Sequence, residues 1–252
     1  LSTRVEANAQ QPTGLPPSKV VTVNFCGGSF VEGNETQMLK VTLRPGDVVR
    51  AEPGAMVYMS PYIRMETKTA GQGLGRLLTG QSIFLSEFHY TGPSGTADSI
   101  AFTPDFPGQI IPIQIEDYGG RVICQRSSLL CSAATIDLSV EFTQSIGAGF
   151  FGGEGFVLQG LNGHGMAFLN ARGVITKKTL VPNETLIVSS GCVVAFENGV
   201  RYTVTMMRGV SNALFGGEGL FVVNLTGPGT VWIESQNLSR LYESIHKAIN
   251  KQ

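Results

Sequence analysis

The chain is short of the residues that most enzymes and nucleic-acid binders display. It has 252 residues but only 3 histidines, 4 cysteines and 1 tryptophan, and charged residues make up 15%. His89, His164 and His246 form no H-x-x-x-H or H-E-x-x-H, and none stands near a cysteine in a metal-ligand pattern. Cys26, Cys124, Cys131 and Cys192 are widely spaced, with no C-x-x-C. In a chain of this length they read as buried free thiols, not a disulfide framework or a zinc site. No Lys/Arg run exceeds "TKKT" at 176–179, and the net charge is −1. A dedicated nucleic-acid binder shows a basic face. No apolar run approaches the roughly 18 residues of a membrane span, so no transmembrane segment is expected and only peripheral membrane association stays open.

Glycine is plentiful, at 32 residues, which predicts many tight turns between short strands. The densest glycine stretch, "GAGFFGGEGFVL", contains G-x-G-x-x-G at Gly147, Gly149 and Gly152. A dinucleotide loop of that pattern must open a helix whose N-terminus meets the pyrophosphate. Here a strand-like run, "EGFVLQG", follows, so the glycines serve a turn or bulge. No G-x-S-x-G elbow is present. These readings lead to no expected catalytic residue, metal ligand, cofactor site or enzymatic activity.

The glycine stretch has a near copy. "FGGEG" at 151–155 returns at 215–219, so Glu154 and Glu218 stand 64 residues apart. At that offset Val200, Tyr202, Val204 and Met206 fall on Ile136, Leu138, Val140 and Phe142, alternating with polar residues as a strand with one dry face does. A third copy lies 73 residues further back, where "GAMVYMSPYIRMETKT" takes the same frame and Gln81 stands in place of the glutamate. Gly152, Gly153, Glu154 and Gly155, with Gly216, Gly217, Glu218, Gly219 and Gln81, are therefore the expected structural loop residues. A carboxylate or amide in such a turn accepts backbone N–H groups and braces it. Asn198-Gly199 predicts a type I′ hairpin turn, with Pro61-Tyr62 and Ala134-Thr135 in the same place upstream.

The sequence thus divides into a polar tail (1–19), three β modules (20–115, 116–180 and 181–236) and a closing helix (237–252) with an apolar stripe of Leu238, Leu241, Ile245 and Ile249. The fold class is all-β: three tandem short antiparallel β-sandwich modules with a C-terminal α-helix.

The paired "FGGEG" loops, the "PGAMVYM" stretch and the three-module length resemble the altered-inheritance-of-mitochondria family over about residues 20–236. The resemblance implies an attenuation-protein-like β fold, a homotrimeric ring of nine modules, a mitochondrial location (cytoplasmic in a bacterium) and no enzymatic activity. The expected function is a non-enzymatic ring-forming scaffold or assembly factor in mitochondrial organisation or a larger mitochondrial complex, with other protein subunits as further partners. Two alternatives stand beside it. One is an RNA- or ribonucleoprotein-associated ring, drawing on Arg44, Arg50, Arg64, Lys68 and Arg76. The other is a small-ligand binder with sites between modules.

Overall fold

The computed structural model describes residues 20–23, 25–70, 83–144, 156–207 and 220–237, together with 240, 241, 245, 248 and 249. These residues are all-β, with 3-10 turns as the only other regular segments of three residues or more. The strands, in chain order, are β1 (Val20–Val23), β2 (Ser29–Gly33), β3 (Gln37–Leu43), β4 (Val48–Ala51), β5 (Met56–Met59), β6 (Ile63–Ala70), β7 (Ile83–Tyr90), β8 (Asp98–Phe102), β9 (Gln109–Gln114) and β10 (Arg121–Gln125). They continue with β11 (Leu129–Ala133), β12 (Ile136–Gln144), β13 (Phe156–Gly163), β14 (Met166–Ala171), β15 (Ile175–Leu180), β16 (Thr185–Ser189), β17 (Val193–Glu197), β18 (Arg201–Met207), β19 (Leu220–Thr226) and β20 (Gly229–Glu234). The expected helix over 237–252 falls largely outside the described residues; Arg240, Leu241, Ile245, Ala248 and Ile249 are helical.

Four antiparallel sheets form, in the orders β1-β2-β3-β8-β5, β6-β7-β4-β11-β14-β9, β12-β13-β10-β17-β20-β15 and β16-β19-β18. One local pattern recurs. The pair β5·β8 slips register between Met56 and Tyr58, β11·β14 between Leu129 and Cys131, and β17·β20 between Val193 and Ala195. Those positions are separated by the same 73 and 64 residues that align the sequence copies. Each slip is a bulge, which bends its strand at the same point each time.

One expectation changes here. Asn198-Gly199 does not close a hairpin, because β17 and β18 lie in different sheets: β10 and β20 already occupy both edges of β17, and β18 pairs with β19. The turn instead carries the chain from one sheet to the next. The strands β9 and β15, which lie within the bounds 20–115 and 116–180, pair with β14 and β20 from the following stretch.

Burial follows the sheets. The continuous apolar runs of β11 and β17, "LLCSA" and "VVAFE", are buried at four successive positions. A strand covered on both faces reads as an unbroken apolar run, not an alternating one. The strand β18 alternates instead, with Arg201, Thr203 and Thr205 exposed and Tyr202 and Val204 packed on the core. Three apolar clusters result; two draw on two of the repeated stretches, and the third, with Leu85, Leu161 and Trp232, draws on all three. Leu130, Cys131 and Phe168 pack with Leu39, Val41 and Phe102, while Ile123 and Phe156 pack with Phe196, Val223 and Val231. Edge-to-face contacts at 5.3 Å join Phe25 to Phe168 and Phe88 to Phe102. A fully buried side chain of this size is worth about 1.5–3 kcal/mol, and much of that burial is achieved across the seams between stretches.

Candidate functional site

Each six-stranded sheet is two triplets joined at one seam. The triplet β6-β7-β4 meets β11-β14-β9 where β4 pairs with β11, and β12-β13-β10 meets β17-β20-β15 where β10 pairs with β17. The registers correspond. At the first seam Cys131 faces Ala51 and Ser132 faces Arg50; at the second Ala195 faces Cys124 and Phe196 faces Ile123. Arg50 also ties the first stretch to the second: its guanidinium donates to the Ile136 carbonyl at 3.2 Å, while its Nε lies 2.9 Å from a Glu87 carboxylate oxygen within its own triplet.

One triplet of each kind is left over. The strand β5 forms the outer edge of β3-β8-β5, and β16 the outer edge of β16-β19-β18, with no strand beyond either among the described residues. By the sequence offsets, β5 is the counterpart of β11 and β17, and β16 that of β4 and β10. Their exposure reverses accordingly. Val57, Tyr58 and Met59 are 49%, 40% and 38% exposed, whereas Leu130, Cys131, Ala195 and Phe196 are buried. Ile187 is 64% exposed, whereas its counterpart Ile123 is buried. A bare edge with large apolar side chains is a pairing template. Here the two bare edges are the two halves of a junction the chain already makes twice.

The loop residues expected from the sequence, Gln81, Gly152, Gly153, Glu154, Gly155, Gly216, Gly217, Glu218 and Gly219, lie outside the described residues. The strands that flank them are antiparallel partners: Ala70 faces Ile83, Gln144 faces Phe156 and Met207 faces Leu220. Each glycine-rich stretch therefore lies between two antiparallel neighbours of one sheet. Arg44 donates to the Gly27 carbonyl at 3.1 Å, Arg50 bonds Glu87, and Arg64 is exposed on β6 with Lys68 further along the same strand, while Arg76 lies outside the described residues. At 176–179, Lys177 sits over the Tyr118 and Trp232 rings and Lys178 pairs with Glu184 at 2.8 Å. All four cysteines are free. Burial pushes the Cys26 and Cys124 thiols up to about 12 and raises Cys131 and Cys192 as well.

Sequence reasoning passed over Val57, Tyr58, Met59 and Ile187. The run "AMVYM" is as apolar as its buried counterparts "LLCSA" and "VVAFE", so composition did not mark it. The available signal was positional: a tandem array has a first β5-type edge and a last β16-type edge with no neighbour in the chain.

The family model described as "Mitochondrial biogenesis AIM24" matches residues 30–236. An uncharacterized protein of Streptococcus pyogenes serotype M6 is 27% identical over 215 residues, covering 81% of this chain and 83% of that protein. A crystal structure of a Streptococcus pyogenes protein superimposes with a TM-score of 0.70 at 22% identity, covering 92% of this chain and 99% of that one, and supports the fold. No helix among the described residues is long and apolar enough to cross a membrane.

Proposed function

The chain belongs to the mitochondrial biogenesis AIM24 family, and on that premise we propose that it is a non-enzymatic scaffold whose three β modules close, with those of two further copies, into a homotrimeric ring. The carrying observation is the complementarity of the bare edges. A contact in which β16 of one copy pairs with β5 of the next is head-to-tail, and such contacts either close into a ring or grow into a filament. It would unite a three-stranded and a five-stranded sheet. Three copies follow from the family resemblance; the edges supply the mode of contact.

The energetics are of the right order. Val57, Tyr58, Met59 and Ile187 are already about half-covered, so burying the remainder contributes about half of the roughly 1.5–3 kcal/mol of full burial for each, and the edge N–H and C=O groups gain partners. Association costs on the order of 4–15 kcal/mol, so one seam suffices only when most of that surface is covered, and a closed ring supplies three. The family description points to mitochondria, whereas the two relatives named above are streptococcal; the assembly reading holds in either compartment.

Light scattering tests it. The expected mass is three times the 26.9 kDa of the chain, and Ile187→Lys is expected to give a folded monomer, because a buried ammonium at the seam has no partner. A wild-type monomer, or a trimer indifferent to Ile187→Lys, overturns the reading.

A further inference from the structure

The first seam opens into a cleft. Where the ends of β4, β8, β10 and β14 converge, a cleft of about 180 Å³ opens between the first and second stretches, lined by Glu52, Asp105, Phe106, Arg126, Asn170 and Arg172 among others. At the second seam the chain fills the corresponding place itself. There Glu234, the counterpart of Asn170, takes the Arg172 backbone N–H at 2.6 Å and its guanidinium at 3.1 Å. The Asn237 side chain lies over Gly191, against the position a Cβ would take, and donates to the Ser189 hydroxyl at 3.3 Å. Gly191 is the counterpart of Ser127, a cleft-lining residue. The chain's own carboxylate and carboxamide thus plug one junction and leave the other open.

The polar groups of the open junction are unsatisfied in a specific way. Asn170 and Arg172 are both 7% exposed, and both line the cleft. The Asn170 amide donates to the Ser127 carbonyl, which leaves its Oδ1 without a hydrogen bond; the Arg172 Nε–H also has none among the described residues. Such orphans are rare in a folded interior and call for an occupant. Arg126 is half-buried at the same cleft and makes no ion pair among the described residues, while its counterpart at the second seam is the uncharged Ser190. Donors alone would suit any anion. The carboxylates of Asp105 and Glu52, however, disfavour a bare anion, just as Arg126 disfavours a bare cation. A ligand with both kinds of group meets both demands.

We propose that this cleft binds a small carboxylate that also carries a hydrogen-bond donor, such as a hydroxy or amino carboxylate. The planar carboxylate takes the Arg126 fork and the Arg172 Nε–H, the geometry for which guanidinium is suited. The donor meets Asn170 Oδ1 and Asp105. Phe106, over which the Arg172 guanidinium stacks at 5.9 Å, forms the apolar wall. The volume is below the roughly 300–1,000 Å³ of drug-sized pockets, which restricts the ligand to a small molecule. The site lies within one chain, so it stands or falls independently of the ring.

Titration calorimetry with L-lactate, L-alanine and acetate tests it on the full chain. The expected result is one saturable site per chain for lactate or alanine, with Kd in about the millimolar range and acetate roughly tenfold weaker. Arg126→Ala is expected to weaken binding about tenfold or more at unchanged particle mass. Arg126→Gln, which keeps the stem, serves as the second variant if the alanine variant loses its thermal transition. Saturable binding lost in either folded variant supports the site. No saturable binding, acetate as tight as both other probes, or wild-type affinity in the Arg126 variants overturns it.

Discussion

Ile123 and Phe196 stand opposite each other where β10 meets β17, and both are buried. Ile187 is the counterpart of Ile123 one repeat further on, and Met59 that of Phe196 two repeats back; both are exposed, and both lie on strands with an open edge among the described residues. The relation sets a register for the proposed contact between copies: Met59 opposite Ile187, and Tyr58 opposite Val188. Directly opposed residues in antiparallel strands have Cα atoms about 4.5–5.5 Å apart, within disulfide range. The double variant Met59→Cys, Ile187→Cys is therefore expected to form intermolecular disulfides on mild oxidation, seen as dimer and trimer bands on a non-reducing gel. Each single variant, and the mis-registered pair Met59→Cys, Thr185→Cys, should stay at the monomer position. Equal cross-linking in the mis-registered pair would refute the register.

The native thiols will not confuse that experiment. Thiolate is the reactive form, and burial holds Cys26 and Cys124 near 12, with Cys131 and Cys192 also raised. At pH 7.5 the folded protein is expected to consume far less than four equivalents of a thiol-specific reagent over minutes. All four should react promptly after denaturation. A fast-reacting native cysteine would show that its surroundings are more open than described.

Much of this architecture is legible in the sequence, and the limit is physical. The 64- and 73-residue offsets reappear as the bulges before Tyr58, Cys131 and Ala195, because a repeat unit keeps its bends. The alternation of "RYTVTM" marks β18, since a strand with one dry face must alternate. Asn198-Gly199 misleads because turn chemistry reports a local reversal, whereas which strands pair depends on free edges far along the chain. β9 and β15 pair forward into the next stretch, which no local pattern reveals. The apolar edge at β5 looks like core because it is core-like surface without its cover. The cleft was invisible for a related reason: it depends on what Asn170 and Arg126 replace at the second seam, Glu234 and Ser190, and that comparison needs the register.

Backbone geometry gives a further test at Gly163, the end of β13. Its φ is +133°, and a Cβ there would stand 2.3 Å from the Thr135 carbonyl oxygen. Gly46 also has positive φ, at +92°, but nothing within 4 Å of the same atom. Gly46→Ala is expected to cost only the conformational term, about 1–2 kcal/mol. Gly163→Ala adds a clash with backbone that cannot swing aside, so a loss above about 3 kcal/mol is expected. Chemical denaturation of the two variants decides it; equal losses would mean that the β12–β13 hairpin yields easily.

The buried pair Arg172–Glu234 gives the last test, and its pH dependence discriminates between two forces. Both side chains are more than nine-tenths buried. Burial raises the Glu234 carboxyl above its ordinary range, and attraction to Arg172 opposes that rise without cancelling it. The folded state therefore holds the Glu234 proton more tightly than the unfolded chain does. Across the window from the ordinary value, about 4.3, up to the raised folded value, this group makes stability fall as pH rises. Above that window its contribution is constant. Glu234→Gln keeps the shape of the side chain and removes its charge. Because the site favours the neutral carboxyl over the carboxylate, the variant is expected to be at least as stable as wild type at neutral pH. It also removes the slope, so wild type is expected to gain stability relative to the variant as pH falls through the window. Had the ion pair lowered the carboxyl instead, wild type would start the more stable and lose that lead as pH falls. Thermal denaturation of both proteins from pH 7 to pH 4 reads the sign directly. The double variant Arg172→Met, Glu234→Leu should match or exceed wild type at neutral pH, because apolar residues of similar volume avoid the desolvation of both charges.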